Sequence, residues 1–353
     1  MIAPLALAAF ASLAVATPFP SIQKLHLMDH LKGQAVAAPA TAHLTNYGGP
    51  IIKNVQVRPI FYGNANFQPQ TNAFYAGVTQ SSWYDIMAQY GVGRGSAVAG
   101  ISVTATKSAL DDVNDVQALL ISMVQAGTIV PTANTYFPIH FAPGISISQG
   151  GQGSCQVFCA YHGTIDISSL GKGVQYLYYG VMPDQGGSCA GGCGSNPSTV
   201  NNMFSVASHE LAEAVTDPGV GLATANAPPL AWYDATNGEI GDICNAQQGT
   251  TVGGDGVTYV IQKQWSNSAN SCVAAGSGGV TTTTTTTKKV TTTTTTTVPA
   301  GGCAHNKCVT GVALKNGCDA CVSKIIAADS YCGSTSWDST CVGEVKSVCG
   351  ITC

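Results

Sequence analysis

The sequence predicts a body of mixed α/β or α+β class, followed by a threonine-rich linker and a small, disulfide-rich helical module. Segments with strand-like alternation and segments with helical periodicity follow one another in mixed order through most of the chain. Two runs of seven threonines then interrupt the chain, and eight of the 14 cysteines lie beyond them. These observations predict a single globular body at residues 44–276, a linker at 277–302 and a module at 303–353.

The N-terminus has the pattern of a secretory signal peptide. Residues 5–15 form an apolar run that is too short to span a bilayer, and a small-x-small cleavage site ends at Ala16. We therefore expect a signal peptide at residues 1–16, secretion to the extracellular space and no membrane span. Residues 17–43 form either a propeptide or a flexible arm, and the sequence leaves both open.

The composition excludes one class of partner. Only 9% of the 353 residues are charged and the net charge is −4, so the chain has no basic surface that could meet phosphates. We therefore expect no nucleic-acid partner. Apolar residues make up 45% of the chain, which is enough for a packed core.

Periodicity places the main elements of the body. Strands are predicted at residues 55–62, 136–141, 174–182 and 258–264, and helices at 81–90 and 110–125. The second helix carries aspartates in its opening turns, where the helix dipole favours acidic side chains. Because strands and helices alternate without a regular order, α/β and α+β both remain open.

The residue composition predicts the character of the linker and of the module. A threonine tract cannot bury a core, and in a secreted protein it predicts an extended, O-glycosylated stalk. The eight cysteines of the module allow many pairings, so their connectivity stays open. Short helices are expected near 319–328 and 339–348.

The six cysteines of the body are disulfide candidates, because a secreted chain folds under oxidising conditions. Short spacing in sequence suggests local bridges, and the remaining pair would close the loop around the last strand. The expected pairs are Cys155–Cys159, Cys189–Cys193 and Cys244–Cys272.

Residues 197–218 contain the main candidate for chemistry. Apolar side chains recur there at helical spacing and define one face, while His209 and Glu213 lie one turn apart on the opposite side. The pattern is similar to the zincin helix H-E-x-x-H, with Glu213 in place of the second histidine. In this interpretation His209 and Glu213 bind Zn²⁺, and Glu210 is the catalytic base that activates water.

A third metal ligand can come from two places. His162 follows Cys155 and Cys159, and a disulfide would fix it in a tight loop. Asp217 lies one turn beyond Glu213 and competes for the same role. The alternative for the whole segment is a helix whose polar face lies in water.

The charge distribution favours a metal ion over a solvated face. The chain has no Lys or Arg between Lys172 and Lys263. That stretch nevertheless holds Asp184, Glu210, Glu213, Asp217, Asp234, Glu239, Asp242 and Asp255. Carboxylates without a cation must be well hydrated, raise their pKa or bind a metal.

A second acidic cluster consists of Asp234, Glu239 and Asp242. The turn signal Asn237-Gly238 predicts a hairpin that brings these three carboxylates near one another. Oxygen-rich loops suit Ca²⁺, so calcium is the alternative ion here. A simple polar turn is the alternative to a metal site.

Several short motifs follow one another in order over residues 44–273: Tyr47-Gly48-Gly49-Pro50, Cys155-x3-Cys159-x2-His162, Cys189-x3-Cys193, Ser208-His209-Glu210-Leu211-Ala212-Glu213, Trp232-Tyr233, Glu239-Ile240-x-Asp242-x-Cys244 and Gln264-Trp265. Together these motifs resemble the EXORDIUM or phosphate-induced protein family of secreted, cell-wall proteins. The module resembles Cys-rich modules appended to other secreted proteins. The family resemblance implies a secreted protein linked to growth and the cell surface, and it implies no particular reaction.

Two functional hypotheses follow. The first is a secreted, zinc-dependent, peptidase-like hydrolase that acts on an extracellular peptide or cell-wall polymer. The second is a non-catalytic extracellular protein that binds a glycan or the cell wall. Glu210 distinguishes them, because only the first requires a carboxylate base at that position.

Overall fold

The computed structural model describes residues 28–29, 37–276, 303–309, 311–328, 331–334, 336–337 and 339–351. The chain divides into two compact units, the body within Met1–Val280 and the module within Thr281–Cys353. The signal peptide and the linker predicted above lie outside the described residues, as does most of the predicted arm. Over the part of the chain that the structure describes, no helix is long and apolar enough to cross a membrane.

The strands of the body are short, and many of them belong to one mixed sheet. In chain order they are β1 (Met28–Asp29), β2 (Thr45–Asn46), β3 (Asn54–Val57), β4 (Ile60–Tyr62), β5 (Gly93–Ala97), β6 (Ile101–Val103), β7 (Ala109–Asp111), β8 (Thr135–Phe141), β9 (Ser146–Gln149), β10 (Gln152–Gly153), β11 (Phe158–Asp166), β12 (Tyr176–Met182), β13 (Trp232–Tyr233), β14 (Gln248–Val252), β15 (Thr258–Gln262), β16 (Gln264–Ser266) and β17 (Ser271–Val273).

The helices of the body are of three kinds. The α-helices are α1 (Gln68–Val78), α2 (Ala118–Gln125) and α3 (Thr199–Thr216). A π-helix at Asp112–Gln117 leads into α2. Short 3₁₀ helices lie at Tyr84–Tyr90, Ser168–Leu170, Gly187–Cys189, Val220–Leu222 and Asp242–Cys244.

The main sheet has the order β1-β11-β12-β8-β3-β5, and β4 and β6 extend it beside β8. Strand β8 runs parallel to β12, β3 and β4, whereas β11 runs antiparallel to β12. The mixed class predicted from the sequence is therefore confirmed. The strand predicted at 55–62 is divided into β3 and β4 at Pro59, since proline has no N–H to donate to a strand ladder.

Two apolar cores cover the two faces of this sheet. Successive residues of a strand point to opposite faces, and Tyr136 and Phe137 of β8 accordingly belong to different cores. The first core packs α1 and α3 against the sheet, through side chains such as Phe74 and Leu211. The second core packs α2 against the other face through Leu120.

Two of the predicted helices differ from the observed elements. The segment 110–125 begins inside strand β7 and continues as the π-helix before α2 forms. Asp111 caps this turn, since its side chain accepts a hydrogen bond from the backbone N–H of Asn114. The segment 81–90 forms a 3₁₀ helix only from Tyr84 onward.

The disulfides of the body join separate segments of the chain. The observed pairs are Cys155–Cys189, Cys159–Cys193 and Cys244–Cys272. The last pair confirms the prediction, but the two local pairs predicted from short spacing are wrong. The loop after β12 folds back beside the start of β11, and this brings paired Cα atoms to 4.4 and 5.4 Å.

The module is a small helical unit with a core of its own. Its elements are β18 (Gly311–Val312), α4 (Ala320–Ala328), α5 (Tyr331–Ser334), β19 (Ser336–Trp337) and α6 (Ser339–Cys349), so both predicted helices are present. The disulfides Cys303–Cys318, Cys321–Cys349 and Cys332–Cys341 surround the buried Trp337. Disulfides in both units fit an extracellular protein.

Candidate metal centre

Helix α3 is buried on its polar side as well as on its apolar side. Phe204 and Leu211 pack into the first core of the body. On the opposite side His209 and Glu210 are fully buried, and Glu213 is 1% exposed. The polar face therefore does not lie in water, and its charged groups must be matched by other parts of the protein.

Strand β11 supplies a second imidazole to this face. Tyr161 points into the second core, so the next residue, His162, points to the opposite face of the sheet, toward α3. Nδ1 of His162 lies 3.5 Å from Oε2 of Glu210 and 3.7 Å from Oε2 of Glu213. The structure thus places the side chain of His162 beside the residues of helix α3.

The loop after β13 supplies two carboxylates. Oε1 of Glu239 lies 3.6 Å from Nε2 of His162, at one end of the centre. Oδ1 of Asp242 lies 3.8 Å from Nε2 of His209, at the other end. These two members of the second acidic cluster therefore join the helix residues in one centre.

Asp234, the third member of that cluster, has a structural role. Its backbone exchanges two hydrogen bonds with Gly238, which closes the predicted turn. Its carboxylate accepts hydrogen bonds from the backbone N–H groups of His43, Thr236 and Asn237. Asp234 thus shapes the loop that presents Glu239 and Asp242, and its own carboxylate is occupied by amides.

Asp217 is the C-cap residue of α3. Oδ1 of Asp217 accepts a hydrogen bond of 2.8 Å from the backbone N–H of Ala231. Its backbone carbonyl lies 3.3 Å from Nε2 of His162. Of the two residues considered as third ligand, His162 is the one whose side chain lies among the other donors.

Two sets of three donors could hold a metal ion. One set is His209, Glu210 and Glu213, the other is His162, Glu213 and Glu239, and within each set all donor atoms lie within 4.8 Å of one another. Nε2 of His209 lies 3.0 Å from Oε1 of Glu213. Two ligands of one tetrahedral ion, at bond lengths of about 2.0–2.1 Å, lie about 3.3 Å apart.

The imidazoles of the centre are strongly affected by the nearby carboxylates. Burial alone would lower the pKa of His209, but Glu213, with Glu210 and Asp242, raises that pKa to about 10. Burial would likewise lower the pKa of His162, and the carboxylates of Glu210 and Glu213 raise it above its ordinary value. The environment of both imidazoles therefore favours a positive charge.

Two acidic groups of this region have raised pKa values. Burial raises the pKa of Glu239 well above its ordinary value, and the other carboxylates of the centre raise it further. Burial also raises the pKa of Asp217 to about 7. The surroundings of both carboxyl groups therefore favour the neutral, protonated form when no cation is bound.

Several buried polar atoms of the centre have no hydrogen-bond partner among the described residues. They are both carboxylate oxygens of Glu210 and of Glu239, Oδ2 of Asp217, Nδ1 of His162, and both ring nitrogens of His209. An unpartnered buried polar group is costly, and a buried charge more so. Imidazole nitrogens and carboxylate oxygens are common metal ligands, so the donor set fits a bound cation.

Three further polar residues beside the centre have no motif in the sequence. Burial, and then the charge of Glu210, raises the pKa of Tyr75. Burial also raises the pKa of Tyr136, with smaller contributions from Tyr75, Glu210 and Glu213. The Oη of Tyr75 lies 3.1 Å from Nε2 of His140. Only strand alternation could have indicated from the sequence that one of them lies near the centre, because it places His140 on the same face of β8 as Tyr136.

Comparisons with known proteins give a match in the module alone. Residues 301–353 match the model of a family described as a domain of unknown function, DUF8252. No curated protein matches the chain. No solved structure matches it either. The function of the body must therefore be argued from its own geometry.

Proposed function

We propose that the body is a secreted, zinc-dependent hydrolase of the peptidase type. One observation carries this proposal, namely the state of Glu210. Its carboxylate is fully buried, both oxygens lack a hydrogen-bond partner among the described residues, and one oxygen lies 3.5 Å from a candidate ligand, His162. A carboxylate in that state is available to accept a proton, which is the role of a general base.

The residues that would hold the ion are His162, His209, Glu213 and Glu239. Two imidazoles and two carboxylates form a donor set that zinc accepts, because it binds nitrogen and oxygen ligands alike. A bound zinc ion supplies Lewis acidity toward water and toward a substrate carbonyl. The oxygen-rich composition also admits Ca²⁺, but two imidazoles favour a transition metal.

The chain's own groups account for the proton transfers. Glu210 takes a proton from the attacking water and later gives it to the leaving amine. The hydroxyl of Tyr136 is buried and has no hydrogen-bond partner among the described residues. It can donate a hydrogen bond to the negative charge that develops on the substrate oxygen.

Two observations support an extracellular location for this activity. The disulfides of both units fit an oxidising, extracellular compartment. The resemblance of residues 44–273 to the EXORDIUM family suggests the cell surface or cell wall. A module tethered by a linker would then raise the local concentration of the body near its target.

The experiment is to compare Glu210→Gln with the wild type in the purified, full-length protein. We expect zinc content to stay unchanged while hydrolysis of a peptide library falls by about 10²–10⁴-fold, since the amide cannot accept a proton. Asp166→Asn, which changes an exposed carboxylate of β11, is the control and should keep full activity.

Two outcomes count against the proposal. Wild-type hydrolysis in Glu210→Gln would exclude this residue as the base. Zinc-loaded wild-type protein that cleaves no peptide in the library would exclude the peptidase. If such protein is retained on cell-wall polymer, and loses retention when residues 303–353 are deleted, the non-catalytic binding function replaces it.

A further inference from the structure

We propose that the centre binds two divalent ions, with the carboxylate of Glu213 bridging them. This inference rests on the metal-binding part of the proposed function and adds a second ion to it. It does not depend on which substrate is hydrolysed. The supporting observations are the orientation of Glu213, the grouping of the donors and the buried charge.

The two oxygens of Glu213 face two different imidazoles. Oε1 lies 3.0 Å from Nε2 of His209, and Oε2 lies 3.7 Å from Nδ1 of His162. The backbone N–H of Asp242 donates a hydrogen bond of 3.0 Å to Oε1, which fixes the orientation of the carboxylate. A carboxylate held between two imidazoles in this way can offer one oxygen to each of two ions.

The remaining donors divide in the same manner. The set with His209 contains Glu210, the set with His162 contains Glu239, and Glu213 belongs to both. Oε2 of Glu210 also lies 3.5 Å from Nδ1 of His162, so Glu210 is within reach of both imidazoles. In two-metal sites the ions lie about 3.5–4 Å apart, a separation that a bridging carboxylate spans. The donors of this centre therefore form two adjoining half-sites.

The buried carboxylates favour more than one divalent ion. Three carboxylates of the two donor sets are each at most 1% exposed: Glu210, Glu213 and Glu239. Imidazoles that bind a metal are neutral and cannot compensate these charges. Across the described ranges, the Lys and Arg side chains in ion pairs contact other acids. When these three carboxylates are ionised as ligands, one divalent ion leaves one negative charge uncompensated, whereas two ions compensate all three.

The second ion is compatible with a base at Glu210. If Glu210 binds the ion through one carboxylate oxygen, its other oxygen remains to accept a proton. A glutamine at this position keeps one carbonyl oxygen as a ligand but cannot act as a base. The two-ion centre therefore predicts the same loss of activity in Glu210→Gln, with metal retained.

The test is the number of ions per chain in the full-length protein. The protein is stripped with a chelator, dialysed against Zn²⁺ and analysed by mass spectrometry of the metal content. We expect two ions per wild-type chain and one ion per chain in His162→Ala and in His209→Ala. In Glu213→Gln we expect the metal affinity of both half-sites to fall at least about tenfold. His43→Ala, which changes an exposed histidine of the body, should retain two.

A second measurement needs no variant that could misfold. The wild-type protein is loaded with Mn²⁺ and its electron paramagnetic resonance spectrum is recorded. Two ions bridged by Glu213 should give the spectrum of a magnetically coupled pair. Two ions with uncoupled spectra would overturn the bridge.

The outcomes separate this inference from the hydrolase. A single ion per chain that is lost in both histidine variants would overturn the second site and leave the hydrolase standing. No bound ion in the wild type would overturn both. Two coupled ions in a protein that cleaves no peptide would support the centre and contradict the peptidase.

Discussion

Gly241 lies so close to His209 that no side chain fits between them. A Cβ on Gly241 would lie 2.8 Å from Nδ1 of His209 and 2.8 Å from Oε1 of Glu213, closer than real Cβ atoms approach other atoms. Gly241 belongs to the loop that supplies Glu239 and Asp242, so the loop backbone itself contacts the donor groups of α3. The distance between this loop and α3 therefore depends on the absence of a side chain at Gly241.

The first prediction concerns Gly241→Ala. The added methyl group must push the loop away from α3, and we expect metal affinity to fall by about 10–100-fold. Overpacking should also lower the free energy of unfolding by about 1–3 kcal/mol. Calorimetric titration with Zn²⁺ and thermal unfolding measure these two effects.

Gly153→Ala is the matched control for that variant. The nearest atom to a Cβ at Gly153 is the end of the Gln156 side chain, at 3.3 Å, and this side chain can move. We expect metal affinity like that of the wild type. Equal affinities in the Gly241 and Gly153 variants would contradict the close contact.

The second prediction concerns the stability of Glu239→Gln, which we expect to exceed that of the wild type without metal and to fall below it with metal. Without metal, the substitution removes a buried carboxylate that has no hydrogen-bond partner among the described residues, and we expect stability to rise by about 1 kcal/mol. With metal, the loss of a charged ligand should weaken binding and lower the melting temperature. Thermal unfolding with chelator and with excess Zn²⁺ gives both values, and a decrease in both states would argue against an uncompensated charge.

The third prediction concerns acid stability and His140. Burial lowers the pKa of His140 to about 3, from 6.5 in the unfolded chain. As the pH falls from about 7 to about 4, the unfolded chain binds a proton here and the folded chain does not, so stability is lost by up to about 1.4 kcal/mol per pH unit. His140→Gln removes this titration and keeps a group that can hydrogen-bond to Tyr75. Denaturant unfolding across this range should show a shallower decrease for the variant, and identical slopes would refute the assignment.

The fourth prediction concerns the disulfide pairs of the body. Lys172 lies between the segment with Cys155 and Cys159 and the segment with Cys189 and Cys193. Tryptic cleavage without reduction should therefore leave peptides 108–172 and 173–263 covalently joined, and reduction should release 108–172. Free 108–172 before reduction would indicate local pairs instead.

The sequence predicted much of the centre because helical spacing is a local property. Positions four apart on a helix point the same way, and this places His209 and Glu213 together whatever packs against them. The absence of Lys and Arg over the same stretch leaves three possibilities for the carboxylates, namely hydration, a raised pKa or a bound metal ion. The resemblance to the EXORDIUM family and the signal peptide stay predictions.

Other features of the centre and the disulfide pairing could not be predicted from the spacing of residues in the sequence. Glu239 and Asp242 were expected to cluster with Asp234 across a turn, but the orientation of each side chain depends on how the loop packs against α3. The pairing of Cys155 and Cys159 with partners beyond β12 depends on where a distant loop folds back. Tyr75 lies in α1, a helix that was not predicted from the sequence, and His140 lies in the strand predicted at 136–141, where alternation gives no sign of a site.

The sequence alone determined the mixed class of the body, the helices of the module and the presence of a histidine–carboxylate pair on one face of a helix. These depend on short-range periodicity and backbone chemistry, which act between residues a few positions apart. Only the tertiary structure decided that this face is buried, that His162 and Glu239 complete it, and that Glu213 faces two imidazoles at once. Contacts between elements far apart in sequence set burial and charge compensation, and no local pattern encodes them.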